Sequence, residues 1–272
     1  MTELGPKPGR PFRAQHVAQY FQAGRPLTML TAYDAMTARI IDAAGVDMIL
    51  VGDSYGTTML GMDSTVGVTL DDMVRATGAV TRGTKRALVV GDLPFGTYES
   101  SRAQAVDSAV ALVRAGAAAV KLEGGRRMAA QVKAIVDAGI NVMGHLGFTP
   151  QSENQLGGKR MQGRGDAAHE ILEDALALQE AGAFAIVFEM VPASTTAMAA
   201  KKLNIPIIGI GAGPAAAGQV LVWCDMAGMQ DWKPSFAHQF GNVGAELSRA
   251  VLAYRDAVVN GTFPATENFH QD

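Results

Sequence analysis

Residues 86–95 read RALVVGDLPF: a short apolar run closed by Gly91 and Asp92, with Pro94 ending any further extension. The pattern recurs in VDMILVGDS (Val46 to Ser54), AAVKLEG (Ala118 to Gly124), INVMGHLG (Ile140 to Gly147) and FAIVFEMVP (Phe184 to Pro192), where each apolar run ends in an acid or a histidine. A nearly continuous apolar run is how a strand of a parallel sheet reads when both its faces are covered, but packing alone gives no reason for an ionisable group at every end. In closed barrels and open parallel sheets the carboxyl ends of the strands open into the ligand crevice. Asp53, Asp92, Glu123, His145 and Glu189 are therefore expected to converge there.

Outward from these runs, segments rich in Val, Ile, Leu and Met alternate from residue 28 with longer Ala-rich segments carrying charges at helical spacing, the alternation of a parallel sheet covered by helices. Strands are expected near 28–33, 47–51, 87–91, 118–122, 140–144, 184–189, 206–210 and 219–223, and helices over 35–44, 70–82, 101–115, 126–138, 167–181 and 194–202. Four of the helices end in Ala-Gly (Ala44-Gly45, Ala115-Gly116, Ala138-Gly139, Ala181-Gly182), where glycine supplies a left-handed cap before the next strand. An amphipathic segment, Ala14 to Ala23, is expected to plug the barrel bottom, and Gln239 to Val259 to form the terminal helix. Eight strands in this span suit an α/β fold, a (β/α)8 barrel, as a single domain over residues 1–272. The rival is a doubly wound open sheet, but the first strand lacks the GxGxxG turn of a dinucleotide site. GIGAG (Gly209 to Gly213) comes after the seventh strand, where barrels of this kind often hold an anion on backbone N–H groups; by itself the motif is weak.

The chain has 272 residues, 48% of them hydrophobic, which is enough for a large core. With 23 basic and 26 acidic residues it offers no broad basic surface to a nucleic acid. The lone cysteine, Cys224, expected in the eighth strand, excludes an intramolecular disulfide framework and fits a reducing compartment. The N-terminal MTELGPKPGRPFRAQ carries no hydrophobic signal segment, and no run approaches the roughly 18 apolar residues of a membrane span. A cytoplasmic protein without membrane partners is the expectation.

Two stretches depart from the alternation: residues 52–69, GDSYGTTMLGMDSTVGVT, and the Gly-rich, polar run from Leu146 to Asp166. Connections beyond about 12 to 15 residues are uncommon in compact domains unless they bind or cover something. Both follow strands, so both are expected on the face that carries the acids.

Asp53 and Asp92 at nearby strand ends would repel each other and lose solvation, so either one is protonated or a cation lies between them. Oxygen ligands without cysteine favour a hard ion such as Mg2+; the alternative is that each aspartate is a helix cap or a salt-bridge partner. Lys121 and Glu123 flank Leu122, so strand alternation points both side chains the same way. Lys121 is then suited to the carboxylate of a small acid, or else merely neutralises its neighbours. His145 lies between Gly144 and Leu146 at the start of a long loop, and is read as a site residue. Glu189, among Phe188, Met190 and Pro192, is expected to have a raised pKa suited to taking a proton from carbon, or to cap the helix that follows.

VGDS at 51–54, GDLPF at 91–95, VKLEGG at 120–125, GHLGFTPQS at 144–152, EMVP at 189–192, GIGAG at 209–213 and GQVLVWCDMAG at 218–228 together resemble the 3-methyl-2-oxobutanoate (ketopantoate) hydroxymethyltransferase family, over about residues 10–262. The resemblance implies a (β/α)8 barrel of the phosphoenolpyruvate/pyruvate type, a homodecamer, and synthesis of 2-dehydropantoate in pantothenate biosynthesis with 5,10-methylenetetrahydrofolate as cosubstrate. It also implies that Asp53 and Asp92 bind Mg2+, with Glu123 beside them or on a metal-bound water, and that Asp53, Ser54, Asp92, Lys121 and His145 contact substrate. Glu189 is implied as the catalytic base. Met190 stands where the family often has cysteine, Tyr55 where it has a smaller or aliphatic residue, and Thr57 and Thr58 replace commoner apolar residues. The alternatives are a metal-dependent lyase or aldolase of the same barrel type, whose reactive cysteine loop is absent here, and a non-catalytic metabolite-binding barrel.

Overall fold

A computed structural model describes residues 4–7 and 9–270. The ends of the expected 1–272 domain, and residue 8 of the N-terminal stretch read for a signal segment, lie outside the described residues. Eight parallel strands close into a barrel in sequence order: β1 (Leu27–Thr31), β2 (Met48–Val51), β3 (Leu88–Asp92), β4 (Ala119–Glu123), β5 (Asn141–Gly147), β6 (Ala185–Glu189), β7 (Ile207–Ile210) and β8 (Gly218–Leu221). Closure is made where β1 pairs with β8, Leu27 opposite Gly218.

Strand alternation divides the barrel wall. Leu27, Met29, Met48, Leu50, Leu88, Val90, Ala119, Met143, Ala185, Val187, Ile208 and Val220 form one buried cluster, taking every second position of the strands as inward-facing residues must. The intervening Ile49, Val89, Val120, Leu122, Val142, Ile186 and Phe188 are also buried, as both-face coverage requires. The N-terminal expectation holds: α1 (Ala14–Gln22) contributes Val17 and Tyr20 to the same cluster, with Phe12 ahead of them. Phe12 and Tyr20 meet edge to face at 5.0 Å.

The outer helices are α2 (Ala35–Ala43), α4 (Leu70–Gly83), α5 (Arg102–Arg114), α6 (Ala129–Asp137), α8 (Ala167–Glu180) and α9 (Ala193–Ala200); α3 (Tyr55–Met59) and α7 (Glu153–Leu156) are short turns inside the two long loops. All four Ala-Gly junctions take the left-handed conformation, with φ of 84°, 110°, 85° and 100° at Gly45, Gly116, Gly139 and Gly182. The loop expected from Leu146 begins later, because β5 continues to Gly147 in register with Glu189. A Cβ at Gly147 would stand 2.1 Å from the Glu189 carbonyl oxygen, so only glycine permits that pairing. No helix separates β7 from β8, so GIGAG is not backed by a helix N-terminus that would favour an anion.

Residues to Val222 form one compact unit and Trp223 onward a second. The second unit holds α10 (Trp223–Ala227) and α11 (Val243–Val259). Cys224 is thus in α10 and not in the eighth strand, which stops at Leu221. The terminal helix starts four residues after the expected Gln239, since Gly241 and Asn242 ahead of it are poor helix formers. No residue of α11 is buried, and Leu247, Val251, Tyr254 and Val258 are exposed along it. No described helix is long and apolar enough to cross a membrane.

Candidate active site

The inward positions of the barrel change character along the strands. In β3, Leu88 and Val90 are followed by Asp92; in β4, Ala119 by Lys121 and Glu123; in β5, Met143 by His145; in β6, Ala185 and Val187 by Glu189. The same period-two alternation that builds the apolar core therefore carries these side chains inward at the carboxyl end. Register sets them side by side, with Asp92 opposite Lys121 and Glu123 opposite His145. Asp53 arrives differently: β2 ends at Val51, and the turn through Gly52 brings Asp53 in, where it is 4% exposed.

All five expected strand-end groups meet, and Lys121 joins them. Lys121 Nζ pairs with Asp92 Oδ1 at 2.9 Å and lies 3.2 Å from His145 Nδ1. His145 spans two acids, Nδ1 at 3.3 Å from Glu123 Oε1 and Nε2 at 3.4 Å from Glu189 Oε2. The Asp53 backbone N–H donates to Asp92 Oδ2 at 3.2 Å. Ser54 heads α3, its hydroxyl 2.8 Å from that of Tyr33. Glu189 does not occupy the apolar setting expected of it: its carboxylate faces His145, and its side chain is 19% exposed. The residue after it, Met190, takes a left-handed φ of 49°, a conformation that costs a non-glycine residue energy and recurs at functional sites.

Charge is unbalanced. Four carboxylates (Asp53, Asp92, Glu123, Glu189) face one lysine and one histidine. Burial, followed by repulsion from Asp92 and Glu123, holds the Asp53 carboxyl well above the usual carboxylate range. Burial and Glu123 also raise Asp92, against the opposing pull of Lys121. Burial and the Lys121 charge oppose protonation of His145, but the Glu123 and Glu189 carboxylates outweigh them and the imidazole is pushed up to about 9. Lys121 is held protonated, its burial outweighed by Asp92, Glu123 and Asp53.

A hard divalent cation fits this arrangement. Its donors are carboxylate oxygens without sulfur, and it supplies the positive charge that the cluster lacks. Among the described residues no three His, Cys, Asp or Glu side chains form a cage for a metal. Mg2+ needs no such cage, being usually held by one or two carboxylates and several waters. Glu123 and Asp92 each have both oxygens engaged: His145 lies against Glu123 Oε1 and the Gln151 backbone N–H donates to its Oε2, while Lys121 pairs with Asp92 Oδ1 and the Asp53 N–H donates to its Oδ2.

Two buried residues at the site were not anticipated. The Gln151 side-chain amide donates to Asp53 Oδ2 and to the Leu93 carbonyl, each at 2.9 Å, and accepts from the Tyr98 hydroxyl at 2.6 Å. Gln151 lies inside the GFTPQS run at the head of the second long loop, so its place was visible although its partners were not. Tyr98 had no such signal beyond standing six residues after Asp92.

Comparison with known proteins fits the geometry. The family model described as ketopantoate hydroxymethyltransferase matches residues 11–266. Proteins named 3-methyl-2-oxobutanoate hydroxymethyltransferase are 51% identical in Mycolicibacterium vanbaalenii, over 97% of this chain and 95% of that one, and 52% identical in Rhodococcus jostii, over 96% and 91%. Among solved structures, phosphonopyruvate hydrolase in complex with oxalate and Mg2+ aligns with a TM-score of 0.60 at 14% identity, covering 94% of this chain and 92% of that one. The 2,3-dimethylmalate lyase, of the PEP mutase/isocitrate lyase superfamily, aligns at 0.56 and 16% identity, covering 95% and 90%. These structures share the closed parallel barrel, and the chain belongs to the ketopantoate hydroxymethyltransferase family of enzymes.

Proposed function

We propose that this enzyme transfers a hydroxymethyl group from 5,10-methylenetetrahydrofolate to 3-methyl-2-oxobutanoate, giving 2-dehydropantoate and tetrahydrofolate in pantothenate biosynthesis. The observation that carries the chemistry is the contrast among the acids: Asp53, Asp92 and Glu123 are almost fully buried, whereas Glu189 is partly exposed at a strand end against His145.

In this reading Asp53 and Asp92 hold Mg2+, with Glu123 beside them. When bound, Mg2+ favours negative charge on the ketone oxygen of the oxo acid. Lys121 and Ser54 receive the substrate carboxylate, and Lys121 at the same time fixes Asp92. Glu189 takes the proton from C3. His145, a polar contact to substrate or product, keeps the Glu189 carboxylate oriented and compensates its charge before the transfer. C3 then bonds to the one-carbon unit as the two carbon–nitrogen bonds to that carbon break. Water supplies the new hydroxyl, and the C3 proton and one water proton end on the folate nitrogens.

The exposed apolar residues along α11 support self-association, and a homodecamer in the cytoplasm completes the reading. The test is product formation from the purified protein. Mass spectrometry is expected to show 2-dehydropantoate when both substrates and Mg2+ are present. Its absence under those conditions would overturn the assignment.

A further inference from the structure

The two unanticipated residues form the most completely satisfied polar network in the barrel mouth. Gln151 is 5% exposed and Tyr98 is 2% exposed. Both protons of the Gln151 amide are used, on Asp53 Oδ2 and on the Leu93 carbonyl, while its oxygen accepts from Tyr98. Its backbone N–H donates to Glu123 Oε2 at 3.0 Å, and the Tyr98 oxygen accepts the Glu123 backbone N–H at 3.3 Å. One residue of the loop after β5 thus fastens an acid beyond β2, the carbonyl after β3 and the acid at the end of β4.

The amide has one tolerable orientation. Flipped, its oxygen would face the Leu93 carbonyl, which has no proton to give, and its NH2 would lie against the Tyr98 hydroxyl. Tyr98 enforces the choice by donating to the oxygen. Burial and the Glu123 charge keep that phenol protonated, so the donor is constant. A neutral donor also suits the site electrically. It fixes the Asp53 carboxylate without cancelling its charge, which a lysine or arginine there would do.

We propose that Gln151 is a positioning residue for the cation-binding acids, holding Asp53 and Glu123 in fixed relation, and that Tyr98 sets the orientation of its amide. The proposal rests on the reading of Asp53 and Asp92, with Glu123 beside them, as the acids that hold a divalent cation. It accounts for why the second long loop begins with a buried turn and becomes exposed only after Ser152 and Glu153.

The experiment is titration of the full-length protein with Mn2+, followed by the electron paramagnetic resonance of free Mn2+, with and without 3-methyl-2-oxobutanoate. Gln151→Leu removes a hydrogen bond to a charged group and is expected to weaken Mn2+ binding about tenfold or more. Tyr98→Phe removes a neutral bond and is expected to weaken it about threefold. At saturating Mn2+ both variants should recover kcat to within a few fold, because neither residue touches the reacting atoms. A purely structural role would instead lower the metal-free melting temperature and leave Mn2+ affinity unchanged. Mn2+ affinity in Gln151→Leu equal to that of the wild type overturns the positioning role alone. Wild-type protein that binds no Mn2+ overturns the cation reading and this proposal with it. If Gln151→Leu does not fold, Tyr98→Phe decides, and unchanged affinity there overturns the proposal.

Discussion

His145 Nε2 lies 3.4 Å from Glu189 Oε2, while the opposite ring nitrogen lies 3.3 Å from Glu123 Oε1. The imidazole therefore bridges a buried acid and a partly exposed one. This divides the labour between two candidate bases. Glu189 is partly exposed, whereas each nitrogen of His145 faces a carboxylate, Nδ1 lies against Lys121 as well, and the residue is 3% exposed.

The first prediction follows from that relationship. With Mg2+ and 3-methyl-2-oxobutanoate in D2O, the wild type should exchange the C3 proton, as read by NMR. Glu189→Gln should lose about 100-fold or more of that rate, the usual contribution of a general base. His145→Gln should retain part of it, since it loses only the orientation of Glu189. Exchange at the wild-type rate in Glu189→Gln would place the base elsewhere.

Asp53 combines function with a stability cost. It is buried beside Asp92 and Glu123, so without a cation its carboxylate adds charge where charge is disfavoured. Asp53→Asn and Asp53→Ala should abolish the rise in melting temperature that Mg2+ and oxo acid together give the wild type. Asp92→Ala should abolish it as well. Asp53→Asn should nevertheless melt above metal-free wild type, by roughly 2–4 °C for each kcal/mol of relieved repulsion. A melting temperature below that of the metal-free wild type would show that the Gln151 bond outweighs the repulsion.

Much of this architecture was readable because one periodicity serves two purposes. The alternation that puts Leu88 and Val90 in the core also puts Asp92 in the mouth, and Ala119 leads in the same way to Lys121 and Glu123. What was not readable depended on the chain leaving its strands. Tyr98 comes from an irregular connection, and Gln151 reaches Asp53 across 98 residues of sequence. The apolar neighbours of Glu189 suggested a dry carboxylate, but neighbours along a strand point to the opposite face. The contact that matters, to His145, comes from the adjacent strand.

A pH prediction comes from the start of α4. The Thr69 hydroxyl and backbone N–H both donate to Asp72 Oδ2, at 2.6 and 3.0 Å, and Asp72 N–H donates back to Thr69 Oγ1 at 3.2 Å. These bonds hold the Asp72 carboxyl below its ordinary value. A lowered folded-state pKa gives stability that is present above the unfolded value and is lost as pH falls through the folded one. Asp72→Asn should therefore cost about 0.3–0.5 kcal/mol at pH 7, since solvent screens so exposed a carboxylate, measured by urea denaturation. The difference from wild type should shrink on acidification below the unfolded carboxylate range near pH 4. A gap that stays constant with pH would assign the loss to packing and not to the charge.

The last prediction concerns the loop between Gly147 and Asp166. Its two ends are fastened: Gln151 is buried among the acids, Gln162 N–H donates to the Met190 carbonyl at 3.0 Å, and the Thr195 hydroxyl donates to the Gly163 carbonyl at 2.8 Å. Between these anchors, Lys159 and Arg160 are exposed, with Gly157 and Gly158 at left-handed φ just before them. The far anchor is bonded to Met190, the residue that follows Glu189. Closure over bound substrates would bring Lys159, Arg160 and Arg164 toward the carboxylates of a folate tail and exclude water from the mouth. Trypsin should cut the free protein at Lys159 or Arg160, and the two substrates together should slow that cleavage about tenfold, a protection that mass mapping of the fragments can follow. Arg164, next to the Gly163 anchor, should be cut more slowly even without substrates. Equal cleavage at Arg160 with and without both substrates would leave the loop a solvated excursion, and would remove its three cations from the account of folate binding.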